Sequence, residues 1–431
     1  MLGDVVLTQK REMEQRLADL FIPRDVSVPK GMERLVCVVL GPRRAGKSLY
    51  AMHRVASLGR FGYVNFDDER LARLEDFDPL LAAIQSVYRK PEHLLLDEVQ
   101  NVRGWELLVN RLQRQGYRLT VTGSNAHLLS SELATHLTGR HLPIVLFPFS
   151  FSEYLKVRVT QPTEAEQREA FRSYAEVGGY PEPLVSRMPH KEYLTTLVRS
   201  TLYKDVVARH RVRAAQSLDD LFTHLMANCA RPYSWNSLSL AFGGRSVHTL
   251  QSYVRYFEEA FLLFSVSRFS FKTREQSKAP RKLYCTDNGL VSSASFRFSA
   301  DTGRLYENLV AIALRRLALA HRIECYYWQG ERQEEVDFVV KQGRAVTALL
   351  QVCADASDPQ VRRREIRSLI RAGAELKCTN RILLTESEEG EERVSWYGTR
   401  ARIRVRPLWR WLQQQDLGLA EQTAEAFRTR R

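Results

Sequence analysis

Between residues 34 and 150, short apolar runs alternate with mixed, helix-patterned stretches. The runs are Leu35-Val36-Cys37-Val38-Val39-Leu40, Leu94-Leu95-Leu96, Tyr117 to Thr122, and Leu142-Pro143-Ile144-Val145-Leu146. Runs of this length read as strands buried on both faces of a parallel sheet, and the segments between them as crossover helices. Tyr63 to Phe66 adds another strand, followed by Asp67-Asp68-Glu69. Upstream, an amphipathic pattern predicts a helix from Thr8 to Phe21, so that residues 1–33 form a collar on the sheet domain. From 151 to 215 the pattern is helical, including Leu202 to Val207, and is broken by Gly178-Gly179-Tyr180-Pro181; this region reads as a helical lid.

Residues 216–300 predict three helices and a β-ribbon. Ser217 is placed as the cap of the first helix, Ser234 to Phe242 forms the second, and Ser246 to Glu258 the third. Leu262 to Val266 and Arg281 to Cys285 are the two strands, joined by a loop with Lys272, Arg274 and Lys278. That order is a winged helix. Residues 301–411 predict a helix at Tyr306 to Leu314, three strands at Ile323, Glu335 and Thr347, a basic helix, and two closing strands, giving a mixed α/β core. Residues 412–431 are polar and read as a tail.

The chemistry sits where strands end. Gly41-Pro42-Arg43-Arg44-Ala45-Gly46-Lys47-Ser48 follows the first apolar run and opens a helix. This is a complete G-x-x-x-x-G-K-[ST] phosphate loop in its proper strand–loop–helix setting. The glycines let the backbone wrap an anion, and N–H groups at the helix start point at it. Lys47 is expected to reach the β- and γ-phosphates of ATP and Ser48 to ligate Mg²⁺. Tyr50, one turn further on, is counted with the nucleotide-binding set. Leu94-Leu95-Leu96-Asp97-Glu98 ends in two acids, Asp97 for the metal's water shell and Glu98 as general base. Asn125, after the strand at Tyr117, is placed to sense the γ-phosphate. Arg140 is placed to neutralise the transferring group, in its own subunit or a neighbour's.

Composition narrows the setting. The 431-residue chain is 44% hydrophobic and 26% charged, ordinary for a globular protein. It has no apolar run of membrane-spanning length and no signal-peptide core, which predicts a cytoplasmic protein with no membrane partner. Cysteines 37, 229, 285, 325, 353 and 378 lack paired spacing and read as buried thiols in a reducing compartment. A net charge of +14 points to a polyanionic partner, nucleic acid first. Arg362, Arg363, Arg364, Arg367 and Arg371 crowd one helix; Arg400, Arg402, Arg404 and Arg406 alternate along a strand and so share a face. Ser246, His248, Thr249, Gln251 and Arg255 on the third helix suit DNA bases or phosphates, and protein docking stays open as the other use of that surface.

Taken together, these motifs resemble the bacterial and archaeal AAA-superfamily ATPases that carry a C-terminal domain of restriction-endonuclease-like fold. The resemblance rests on the phosphate loop, Leu96 to Asn101 with Trp105, Thr122-Gly123-Ser124-Asn125, Leu137 to Arg140 and Gly178 to Glu182. It continues through Asp287 to Leu290, Tyr306 to Val310, and Glu335-Val336-Asp337-Phe338. It implies an α/β P-loop ATPase with lid, winged helix and a C-terminal α/β domain, using ATP and Mg²⁺, with a ring of subunits as one assembly. It also implies similarity to the PD-(D/E)xK nucleases, with Glu307 and Asp337 at two metal-binding positions. The expected acid-x-lysine triplet is Gln351-Val352-Cys353, so one charged ligand and the lysine are missing. Lys341 is the candidate substitute. The implication is a degenerate nuclease fold that grips DNA or bridges subunits, with an ATP-gated nuclease as the alternative.

Overall fold

The computed structural model describes residues 2–26, 35–126, 140–158, 161–294, 302–320, 322–332, 334–396, 398–415 and 417. The proposed turn residues Leu137, Thr138 and Gly139, and nearly all of the tail, lie outside them. The chain divides into two compact units. The first comprises Met1–Phe149, Tyr180–Val185 and Glu258–Phe261; the second comprises Ser150–Gly179, Ser186–Phe257 and Leu262–Arg431.

The first unit is built on β1 (Val36–Leu40), β2 (Phe61–Asn65), β3 (His93–Asp97), β4 (Arg118–Gly123) and β5 (His141–Val145). They pair in the order β2-β3-β4-β1-β5, every neighbour parallel. β1 and β3 are buried along their whole length, as their apolar runs require. Because β4 lies between β1 and β3, the carboxyl ends of all three stand side by side. α1 spans Leu2–Leu17, beginning and ending earlier than the expected Thr8 to Phe21. Val5, Val6 and Met13 pull the early turns onto the sheet core. Gln9 adds a tie to the end of β2, accepting from the Asn65 N–H at 3.0 Å.

The second unit opens with helices Phe151–Arg158, Glu164–Val177 and His190–Thr201, the last continuing through a π-helical segment, Leu202–Ala208. Helix Ala215–Ala227 follows, then β6 (Pro232–Tyr233), helix Trp235–Ala241 and helix Val247–Glu259. Ser217 is not a cap: the helix starts two residues earlier, at Ala215, and Ser217 accepts from Arg245 at 2.7 Å. Ser234 does cap its helix, through a reciprocal box with Ser237. β7 (Leu263–Ser267) and β8 (Arg281–Cys285) form an antiparallel pair, with β6 against β8.

The remaining strands are β9 (Glu324–Gln329), β10 (Glu335–Gln342), β11 (Ala345–Cys353), β12 (Arg381–Thr385), β13 (Gly390–Trp396) and β14 (Thr399–Pro407). Their order is β13-β14-β12-β11-β10-β9. β9, β10 and β11 form an antiparallel meander; β11, β12 and β14 run parallel. Three strands close the sheet where two were expected. The added strand, β13, is rich in glutamate and pairs antiparallel with arginine-rich β14. The arginines of β14 do alternate with buried Ala401, Ile403 and Val405. Yet Arg402 is ion-paired with Glu391, Arg406 lies 3.9 Å from Glu389, and Arg404 donates to Asn380. On helix Pro359–Glu375, Arg362 pairs with Glu388 and Glu392, Arg364 with Glu365, and Arg371 with Glu334. Much of the C-terminal positive charge is therefore balanced locally.

Candidate functional site

The loop after β1 is shaped by its glycines. Gly41 sits at φ +149°, and a Cβ there would fall 2.0 Å from the Leu146 carbonyl oxygen. Gly46, at φ +87°, turns the chain into α2 (Lys47–Ala56). Arg24 supports the loop by donating to the Ala45 carbonyl at 2.8 Å and to that of Phe147. Arg44 faces Glu182 at 3.4 Å. Glu182 belongs to the Gly178 to Glu182 motif, but no sequence pattern directs it or Arg24 to the loop, because their partners are distant in the chain.

Lys47, Ser48, Asp97 and Glu98 converge beside this loop. The Lys47 ammonium donates to the Pro42 carbonyl at 3.0 Å and lies 3.7 Å from the Glu98 carboxylate. Asp97 is buried and accepts from the Ser48 hydroxyl at 2.9 Å, the Tyr63 hydroxyl at 3.0 Å and the Thr122 hydroxyl. Burial and the neighbouring Glu98 charge raise its carboxyl above the usual range, against the pull of those three donors. Glu98 behaves oppositely. Burial pushes it up, but Lys47, then Gln100, Arg43 and Ser124, outweigh that and hold it below its ordinary value. The Glu98 N–H donates to Thr122 Oγ1 at 3.0 Å, and Gln100 donates to both Glu98 and Ser124.

Two expected residues stand apart, and a third, Asn125, lies next to Ser124 at the carboxyl end of β4. Tyr50 is buried in the apolar cluster with Met13, Cys37 and Val39, because its turn of α2 faces the sheet and not the loop. Asn125 follows β4 half-buried, while Ser124 supplies the polar contact toward Glu98. Arg140 is exposed, and its carbonyl accepts from the Val36 N–H. It thus stands at the amino end of β1 and β5, a strand of five residues away from the loop, or about 16 Å at ~3.3 Å per residue. A role at its own subunit's loop is excluded by that position.

A second cluster lies in the second unit. The Lys282 ammonium, 1% exposed, lies 2.6 Å from Glu335, 2.8 Å from Glu307 and 3.1 Å from Asp337. Tyr284 donates to Glu307 at 2.7 Å, and Lys282 sits over the Tyr327 ring at 5.8 Å. Burial alone would lower the Lys282 ammonium, but Glu307, Asp337 and Glu335 together hold it well above its ordinary value. Burial and then the Asp337 charge push Glu307 up to about 8, with Lys282 opposing. Gln351 accepts from the Asp337 N–H at 3.1 Å and donates to Glu365 at 2.8 Å, so its amide is spent on positioning. Lys341 does not enter the cluster; it pairs with Glu324 at 2.7 Å toward the sheet edge. Lys282 was legible only as a lysine in an apolar strand. Among the described residues no group of three His, Cys, Asp or Glu is arranged to hold a metal, and all six cysteines are free. No described helix is long and apolar enough to cross a membrane.

Three segments of the chain match known protein families. Residues 33–155 match a family model described as an AAA domain, so the chain carries an AAA-type ATPase domain. Residues 168–301 and 302–403 match two domains of unknown function, DUF8612 and DUF4143. The uncharacterized protein MJ1544 of Methanocaldococcus jannaschii is 31% identical over 409 residues, covering 90% of either chain. An uncharacterized protein of Haemophilus influenzae is 29% identical over 295 residues, 65% of this chain and 74% of its own. The solved Walker-type ATPase of Pyrococcus abyssi is similar over 68% of this chain and 99% of its own, at 15% identity and a TM-score of 0.41.

Proposed function

This chain belongs to the family of the Methanocaldococcus jannaschii protein, and from that premise we propose that it is a Mg²⁺-dependent ATPase whose nucleotide state controls engagement of nucleic acid. The observation that carries the ATPase reading is the convergence of Lys47, Ser48, Asp97 and Glu98 at the carboxyl ends of β1 and β3. The residues fit the pair of ligands. A hydroxyl and a carboxylate 2.9 Å apart suit a hydrated magnesium ion, and a lysine beside a glycine loop at a helix start suits phosphate. The bound nucleotide would supply the phosphoanhydride, and the magnesium the positive charge on its oxygens.

The chain's own residues then divide the work. Lys47 binds the phosphates. Ser48 and Asp97 hold the metal, with Tyr63 and Thr122 fixing the Asp97 carboxylate. Glu98, kept ionised by Lys47, accepts the proton of a water at its carboxylate. Gln100 Oε1 is buried beside it with no donor among the described residues, a ready acceptor for that water. Arg140 serves, in this reading, a neighbouring subunit's site.

For the nucleic-acid step we read helix, β6, helix, helix and the β7–β8 hairpin as a winged helix. Ser246, His248, Gln251 and Arg255 are exposed on or beside helix Val247–Glu259, opposite buried Leu250, Val254 and Phe257. Lys272, Arg274 and Lys278 are exposed between β7 and β8, where a short helix, Thr273–Lys278, stands in place of the expected loop. Residues 301–411 are read as a degenerate restriction-endonuclease-like domain. Exposed Leu240 and Phe271, at 81% and 77%, favour a second reading in which the same region docks a protein. ATP hydrolysis measured with and without duplex DNA at low salt separates the two. DNA stimulation that weakens steeply with salt is the expected result. Hydrolysis indifferent to DNA, with no retention on it, rejects the nucleic-acid half and leaves the protein-directed switch.

A further inference from the structure

The buried charges around β8 have a purpose that the ATPase reading does not use. Lys282 comes from β8, Glu307 from helix Thr302–Leu319, and Glu335 and Asp337 from β10. Three carboxylates from two elements thus meet one ammonium at 2.6 to 3.1 Å. Carboxylates gather this closely around a cation or a shared proton, since their mutual repulsion in a buried setting is otherwise prohibitive. Here the cation is covalently part of the chain. The rest of the first ring is also committed. Asp337 gives its second oxygen to the Val352 N–H at 2.9 Å, and Glu307 accepts from Tyr284 as well as Lys282. Gln351 bridges the Asp337 backbone to Glu365, which Arg364 pairs.

We propose that Lys282 is the built-in cation of this cluster, standing where a divalent metal ion would stand and closing the carboxylates to metal-dependent hydrolysis. The same ammonium joins β8 to the helix and sheet that follow, so it also ties the three-stranded sheet to the six-stranded one inside a single compact unit. A hydrated divalent ion needs several oxygen ligands in one open cavity. Lys282 instead spends three of those oxygens on its own three N–H donors.

Mn²⁺ titration of the full chain without nucleotide, followed by electron paramagnetic resonance and by thermal unfolding, tests it. The parent protein and Asp337→Asn should show the same Mn²⁺ binding, because the cluster contributes none. Lys282→Ala, which empties the space of the side chain, should gain one Mn²⁺ site, with a melting temperature that rises as Mn²⁺ is added, and Lys282→Ala/Asp337→Asn should lose it again. Parent Mn²⁺ binding that disappears in Asp337→Asn overturns the proposal, as does a folded Lys282→Ala that takes up no ion. If Lys282→Ala does not fold, Lys282→Met/Glu307→Gln/Asp337→Asn decides. Recovered folding means the lysine acts as charge balance; continued failure to fold means it does not.

Discussion

Two lysines, Lys47 and Lys282, are both nearly excluded from solvent and both face carboxylates, at 4% and 1% side-chain exposure. Their surroundings teach opposite lessons. Lys47 has one carboxylate, at 3.7 Å, and one backbone carbonyl. Beside it is a glycine loop that opens a helix, a geometry that suits an anion. Lys282 has three carboxylates within 3.1 Å and an aromatic face. Its donors are filled, and nothing is left for a ligand. Residue type and burial are the same; the balance of donors and acceptors separates a binding site from a closed one.

Lys47→Ala should remove ATP binding detectable by calorimetry while leaving the fold intact, because its partners Pro42 and Glu98 keep access to solvent or to other donors. Retained affinity would mean that the loop, not the lysine, holds the phosphates. Glu98→Gln should keep ATP binding and slow turnover by about two to four orders of magnitude, the range for a positioned base. Parent-rate hydrolysis by that variant would move the base elsewhere. At the second lysine the loss should be structural. Lys282→Met is expected to cost about 3–5 kcal/mol, as when one partner of a buried ion cluster is removed, read as a drop in denaturant midpoint in the absence of divalent ions. A midpoint unchanged by the substitution would put the two lysines on the same footing.

A smaller effect sharpens the contrast through a buried acid that has no lysine. Asp287 accepts from the Gly179 and Gly289 N–H groups at 2.7 and 2.9 Å, and burial pushes it up to about 7 from 3.8. The folded state therefore holds a proton that the unfolded chain has released. Its contribution is full below about pH 4 and is lost as pH rises through 7. Melting temperatures compared at pH 5 and pH 8 should fall more in the parent than in Asp287→Asn. Identical slopes in the two proteins would show that backbone N–H groups alone keep this acid ionised.

Much of the first unit was legible because its chemistry is local. Gly41 to Ser48 lie within one turn, and Asp97-Glu98 end one apolar run, so spacing alone announced them. The second unit was less legible. β13 carries no strand signal of its own, because a glutamate-rich strand becomes favourable only against the arginines of β14. Arg140 could be named from sequence, but its place at the amino end of β5 follows from strand order. Tyr50 looked available until α2 turned it to the sheet.

By itself the sequence determined the parallel sheet, the phosphate loop and the two acids, since each is written as a continuous apolar run or a motif a few residues long. Only the tertiary structure decided that Lys282, Glu307, Glu335 and Asp337 would share one buried site. Charge pairing acts over a few ångströms of space, and up to 55 residues of chain separate those partners. Coulomb attraction in a dry interior depends on where the backbone brings the groups, and no pattern of neighbouring residues records it.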